Sequence, residues 1–302
     1  MPDPQKPYHS IVLVKQVPDT RRVTGEVMTA DGTMNRSALP AVFNPEDLNA
    51  LEMALQVRET YGGTVTVLTM GPLQAAEVLR ESLYRGADRV ILLSDRKFAG
   101  ADTQATSYTL KCAVEKIGAY DLVFCGRQAI DGDTAQVGPQ IAEKLGIPQI
   151  TYAESILSLE AGKIVVQRAF DLGIELVKST LPCLLTVVGS ANTPRPPSAR
   201  RRIACKLAAI PSEYPTLLKK WPEFDSQEAL EAYLVERNLK IPVWSAADLA
   251  IDEAQIGLGG SPTQVYKINF VVLESTDSKE VPPTQEGIRE MIEELVKEYI
   301  VG

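Results

Sequence analysis

Between Cys125 and Pro139 the chain reads CGRQAIDGDTAQVGP, a polar stretch set between apolar segments. Its residue types suit anion binding without a basic group. Loop amides at the start of a helix hold phosphate through N–H groups and the helix dipole, and glycines let the backbone approach a ligand closely. Asp131 and Asp133 are placed to cap N–H groups or to take ribose hydroxyls. Gln128, Thr134 and Gln136 supply neutral hydrogen bonds. The spacing suits a nucleotide or dinucleotide loop, with a merely structural loop as the alternative. A calcium loop is disfavoured, because Ala135 occupies the next alternate ligand position after Asp131 and Asp133.

Other chemistry is largely excluded. The chain has 1 histidine, His9, so a Ser-His-Asp or Cys-His triad would hang on that residue and a histidine-rich metal site is impossible. The 4 cysteines form no C-x-x-C pair, and Cys112, Cys125 and Cys183 sit in apolar stretches as buried structural thiols do. No G-x-x-x-x-G-K-[ST] or G-x-G-x-x-G is present, and GLGGSP carries Pro262 where a third glycine belongs. With 302 residues, 45% hydrophobic content and a formal net charge of −8, the chain can bury a sizeable core and lacks a nucleic-acid footprint. No apolar run approaches the roughly 20 residues that span a bilayer. The start, MPDPQKPYHS, is unlike a signal peptide, so the expected location is cytoplasmic.

The elements that must position the loop follow from periodicity. Continuous apolar segments, SIVLVKQV, TVTVLTMG, DRVILLS and DLVFCG, read as buried strands. They alternate with helical segments: Asn44–Gly63, with Asn44 as cap and Pro45 at the first position, PLQAAEVLRESLYRGA, and Asp102–Gly118, capped at Asp102. This predicts an α/β fold, a doubly wound and mostly parallel sheet covered on both faces. The polar segments VKQVPDT, TMGP, SDRKFAGADT and CGRQAIDGDTAQVGP then open on one edge, where such sheets bind ligands. ILSLEAGKIVVQRAF and IELVKSTLPCLLTVV read as antiparallel strands extending the sheet to about Gly189. Residues 1–190 thus form one α/β domain. Residues 191–302, with scattered helices and no evident core, read as an extended arm wrapping another protein.

VKQVPDT, NPEDLNALEMAL, VTVLTMGP, GADRVILLSDRKFAGADTQATS, CGRQAIDGDTAQVGPQIAEKLGIPQ and GSPTQV, in this order, resemble the β subunit of electron-transfer flavoproteins over nearly the whole chain. VQRAFDLGIELVKSTLPCLLT matches that family's signature in part, because Leu172 stands where a small or acidic residue is usual. The resemblance implies a Rossmann-like, adenine-nucleotide-binding fold and a heterodimer whose α subunit carries one FAD. It implies a second nucleotide in the β subunit, a structural AMP in ordinary respiratory members. In electron-bifurcating members it is a second FAD that takes hydride from NADH. VKQVPDT, the SDR…GADT stretch and Gly132 look like the bifurcating group, so FAD is expected, with AMP as the alternative. One electron would go to ferredoxin or flavodoxin, and the other to the α-subunit FAD and on to an acyl-CoA dehydrogenase. No acid–base histidine is needed, because the chemistry is the cofactor's.

Residue by residue, the resemblance sets the nucleotide against Leu13 and Lys15, Asn44, and Met70 with Gly71. It adds the loop Gly126, Arg127, Gln128, Ala129, Ile130, Asp131, Gly132, Asp133, Thr134, Ala135, Gln136 and Val137. Asp102 and Thr103 stand at the flavin or nicotinamide end. Asn44 and Asp102 also read as plain helix caps, Met70 as core and Lys15 as a solvated charge. Ala199 falls where the family has a larger apolar anchor for docking its dehydrogenase, beside the unusual run Arg200, Arg201, Arg202. That run reads as a solvated turn or as a dock for an acidic partner. About 30 residues around PTLLKKWPEFDSQEALEAYLVERNLK have no counterpart in shorter members. Trp221, Phe224, Leu230, Tyr233 and Leu234 give this insert an apolar side expected to cover the α subunit or another partner.

Overall fold

Ile11, Val12, Leu13 and Val14 are buried in β1 (Tyr8–Val14), so both faces of this strand are covered, as the interior of a parallel sheet requires. In the computed structural model, which describes residues 7–19, 40–170, 173–263, 279–298 and 300, β1 lies between two parallel neighbours. These are β4 (Gly63–Met70) and β6 (Leu122–Gly126). β4 continues to β5 (Arg89–Leu93), and β5 to β11 (Val243–Trp244). On the other flank β6 pairs with β10 (Cys183–Val187), and β10 with β7 (Gln149–Glu160), again in parallel. β8 (Lys163–Phe170) and β9 (Gly173–Thr180) then extend the sheet antiparallel. The order of the nine strands is β11-β5-β4-β1-β6-β10-β7-β8-β9. β9 is the outer strand and exposes Ile174 and Leu176.

Side-chain alternation along β1 divides the interior. Val12 and Val14 point into a core roofed by α1 (Pro45–Tyr61) and α2 (Ala76–Arg85), through Leu51, Leu55, Leu79 and Leu83. Ile11 and Leu13 point into a second core under α3 (Thr103–Ile117) and α4 (Val137–Leu145), through Leu110, Val114 and Ile141. Helices on both faces make the sheet doubly wound.

Three sequence expectations change. CLLTV is not part of the antiparallel extension: β10 enters the parallel sheet between β6 and β7, with all five residues buried. A continuous apolar run fits either setting, and only the pairing decides. VKQVPDT forms a short strand, β2 (Gln16–Pro18), antiparallel to β3 (Ala41–Phe43), in a small second sheet. The insert does not present its apolar side outward. Its helices are α6 (Tyr214–Lys220) and α7 (Gln227–Glu236). Tyr214, Leu230 and Leu234 are buried in the core under α1 and α2, with Phe224 and Tyr233 packed against them. Ala246, Leu249 and Ile256 enter the other core. Residues 208–256 therefore run over both faces of the sheet.

Polar ties fix the start of the last third. Arg195 bonds the buried carboxylate of Glu52 at 2.7 Å and that of Glu59, both on α1. Asn49 donates to the Asn192 carbonyl at 2.7 Å. Burial works to raise Glu52, but the hydrogen bonds and charge of Arg195 outweigh it and hold this carboxyl below its usual range. Among the described residues two helices stay exposed: α5 (Ala199–Cys205), which buries no residue, and α8 (Gln285–Lys297), which buries only Gly287. Among the described residues no helix is long and apolar enough to cross a membrane. Leu172, and Gln264 and Val265 of GSPTQV, lie outside the described residues.

Candidate functional site

After β1 the chain winds outward through β4 and β5, then crosses to β6 on the other side of β1. The β1–β6 boundary is therefore where winding reverses, and open α/β sheets bind ligands at the carboxyl ends of the two strands flanking such a point. Those ends are Lys15 and Gly126. The polar loop leaves from the second of them, and α1 begins beside both.

The first turn of α1 holds the loop. Alternate N–H groups of the extended segment 126–130 donate to three of its side chains. Gly126 donates to Asp47 Oδ1 at 2.9 Å, Gln128 to Glu46 Oε2 at 3.0 Å and Ile130 to Asn44 Oδ1 at 3.1 Å. Asn44 Nδ2 returns a bond to the Gln128 carbonyl at 2.9 Å. Asn44 does stand at the cap position of α1, yet its side chain makes no cap bond and is spent on the loop. Asp47 also accepts the Lys15 N–H at 2.8 Å. Burial pushes its carboxyl up to about 7, against the pull of the N–H donors. Gly126 is dictated by this packing: a Cβ there would lie 2.6 Å from Asp47 Oδ1 and 2.8 Å from the Asp47 nitrogen.

Beyond Ile130 the loop ties to itself and to β1. Asp131 takes both its oxygens to Lys15 Nζ at 2.8 Å, and Asp133 accepts from Gln128 Nε2 at 2.9 Å. Gly132 and Asp133 donate to the Ala129 carbonyl. Asp133 and Ala135 are held at φ 48° and 52°, a strain that concentrates at functional loops. Among the described residues, no hydrogen bond engages the N–H groups of Thr134, Ala135, Gln136, Val137 or Gly138. No side chain caps α4. A run of unpartnered amides at an uncapped helix start, with left-handed residues interleaved, is an anion-binding concavity. A nucleotide's phosphates fit this donor set.

The remaining predicted residues surround it unevenly. Leu13 is buried beneath, with its side chain in the core under α3 and α4. Met70 is half-buried at the end of β4, packed on the same core, and Gly71 donates to the Leu93 carbonyl. Thr103 Oγ1 bonds Gln136 Oε1 at 2.8 Å, which brings the start of α3 to the end of the loop. Asp102 caps α3 through the Ala105 N–H, and its other oxygen accepts from the Thr263 N–H and hydroxyl. Burial works to raise Asp102, but these donors hold it below its usual range. Arg127 pairs with Glu46 at 3.0 Å and lies over the ring of Tyr152, itself at φ 59°. Ala199 and Arg200 begin α5, capped by Ser198, away from the loop.

Glu46, Asp47 and Tyr152 were not among the sequence candidates. The two acids carried a visible signal, being acidic residues in a helix's first turn, but the helix dipole accounts for that without any loop. His9 sits at the opposite edge of the sheet, bonded to the Ala119 carbonyl and Thr66. The four cysteines are free, and all but Cys205 are buried. No group of three potential metal ligands occurs among the described residues.

The fold and the amide-lined loop define a nucleotide-binding α/β protein, and comparison with known proteins names its kind. Residues 31–211 match the electron transfer flavoprotein domain. The chain is 40% identical over 291 residues to the electron transfer flavoprotein subunit beta of Thermoanaerobacterium thermosaccharolyticum, covering 96% of this chain and 99% of that one. It is 43% identical over 258 residues to the caffeyl-CoA reductase-Etf complex subunit CarD of Acetobacterium woodii, covering 85% and 86%. It is 39% identical over 295 residues to protein FixA of Rhizobium meliloti, covering 95% and 90%. The chain belongs to the electron transfer flavoprotein family, as a β subunit. Members of this family bind flavin or AMP, and their β subunits pair with an α subunit.

Proposed function

We propose that this chain is the β subunit of a heterodimeric, electron-bifurcating electron transfer flavoprotein. It holds FAD at the β1–β6 crevice and is charged by NADH. The electrons are divided between ferredoxin or flavodoxin and an α-subunit FAD that serves an acyl-CoA dehydrogenase. The observation that carries this reading is the row of unpartnered amides from Thr134 to Gly138 at the uncapped start of α4. When bound, the flavin supplies the conversion of two-electron to one-electron transfer. The chain's own residues do the rest. The amides and the α4 dipole take the phosphate charge, Asn44 and Glu46 fix the loop, and Lys15, paired with Asp131, ties the loop to the end of β1. Gly132 supports FAD over AMP, because the AMP-holding members that the sequence resembles tend to carry an extra acid in its place.

The extended arm is proposed to include α8. Ile288, Met291, Ile292 and Val296 recur at helical spacing and are exposed. Such a stripe suits burial against the α subunit. Arg200 and the start of α5 are proposed to meet the dehydrogenase, with Ala199 in place of a larger anchor.

The test is cofactor analysis of the heterodimer co-purified with its α subunit. Two FAD per heterodimer and bleaching by NADH are expected. One FAD with one AMP, and no reduction by NADH without another enzyme, overturns the bifurcating reading.

A further inference from the structure

Asp47 lies under the crevice rather than in it, and its two acceptor oxygens go to different strands. Oδ2 takes the N–H of Lys15, the first residue past β1, at 2.8 Å. Oδ1 takes the N–H of Gly126, the last residue of β6, at 2.9 Å. These are the two strand ends that flank the reversal in winding. Past these ends the β1–β6 ladder has stopped, its last paired residues being Leu13 and Cys125. One buried carboxylate therefore bridges the strands where their own pairing has ended. It does so from the helix that also grips Gln128 and Ile130.

We propose that Asp47 is a positioning residue for the bound nucleotide, setting the gap between the carboxyl ends of β1 and β6 so that Lys15 and the 126–137 loop face one ligand together. This rests on the nucleotide reading above. The ionised form is the one that serves, because a carboxylate accepts two N–H donors and a protonated carboxyl must turn one oxygen into a donor. Burial outweighs the groups that favour its charge, which are the N–H donors, the Asn44 side chain and the more distant charge of Lys15. Lys15 on the β1 side is spent on Asp131 of the loop, and Arg127 past β6 is spent on Glu46 of α1. Cys125 of β6 is a buried thiol pushed up by burial and by Asp47 itself. With burial holding the Asp47 carboxyl near 7, the bridge weakens as pH falls through neutrality.

The experiment uses the heterodimer stripped of nucleotide. FAD and AMP are titrated separately between pH 6 and 8.5, for the wild type and for Asp47→Asn. The wild type is expected to lose at least fivefold in affinity for both ligands from pH 8 to pH 6. Asp47→Asn is expected to bind both at least fivefold more weakly at pH 8, with a flat FAD profile down to pH 6; the AMP phosphate itself titrates near pH 6, so the pH dependence is read on FAD. Equal affinity in the variant, or a pH dependence that survives the substitution, overturns the proposal. So does wild-type affinity that rises toward pH 6, which would make Asp47 a repelling charge. If Asp47→Asn fails to fold, the wild-type profile decides alone, and no change across pH 7 refutes the role. A heterodimer that binds neither FAD nor AMP removes the nucleotide reading and this proposal with it. Binding with an unaffected variant removes only the proposal.

Discussion

Replacing Gly126 with alanine tests whether α1 sets the loop. The added Cβ falls 2.6 Å from Asp47 Oδ1, 2.8 Å from the Asp47 nitrogen and 2.8 Å from the Glu46 carbonyl carbon. Two of these are backbone atoms of a helix turn and cannot swing aside, so α1 must retreat from β6 or the strand end must bend. Overpacking of this kind costs about 1–3 kcal/mol. Stretching the charge-assisted Gly126–Asp47 bond adds about 1 kcal/mol. The sum, roughly 2–4 kcal/mol, corresponds to a fall in Tm of about 3–6 °C for a chain of this size. Gly132→Ala is the matched control. Its Cβ meets nothing within 4 Å, so stability should stay within about 0.5 kcal/mol of the parent. Thermal melts of the two variant heterodimers at equal concentration, with and without nucleotide, give the comparison. Retained nucleotide should fall in Gly126→Ala. Equal Tm and equal nucleotide content in Gly126→Ala and wild type would refute the claim that this contact fixes the loop.

Gly132→Trp or Asp131→Trp should lower nucleotide retention while leaving the nucleotide-free Tm nearly unchanged, read by cofactor content after gel filtration. Leu234→Ala should cost about 2–5 kcal/mol in chemical denaturation, because Leu234 is buried in the core under α1 and α2. A cost below about 0.5 kcal/mol would mean that α7 belongs to a partner after all. Arg195→Ala strands the buried carboxylate of Glu52 and should cost about 2 kcal/mol at neutral pH. Because Arg195 holds Glu52 and Glu59 below their usual 4.5, the stability this pairing adds is present above that pH. It is lost as pH falls through the lowered values. The deficit of the variant should therefore shrink in acid, and a constant deficit down to pH 3 would contradict the ion-pair account.

The parallel strands, their helices and the loop were legible in the sequence, because buried runs alternating with capped helices admit few other arrangements. The capping role of Asp102 was legible for the same reason. What periodicity does not carry is the identity of a neighbour. CLLTV reads alike as an antiparallel strand and as the buried parallel β10. Leu230 and Leu234 mark an apolar face without saying that the chain's own sheet lies under it. Asn44 looked like a cap, and Asp47 like a favourable acid in a first turn. Their bonds to residues 126–130 span some 80 positions of sequence, and only the sheet's return at β6 brings them together.

The open margin at β9 has its own cost. An outer strand with exposed Ile174 and Leu176 offers a template to any extended segment, including a second copy of itself. Lys163 and Lys178 lie on this hairpin, and like charges discourage stacking. Production of the chain without its α subunit should therefore be limited by concentration and salt. High ionic strength, which screens those lysines, would speed its loss to insoluble material.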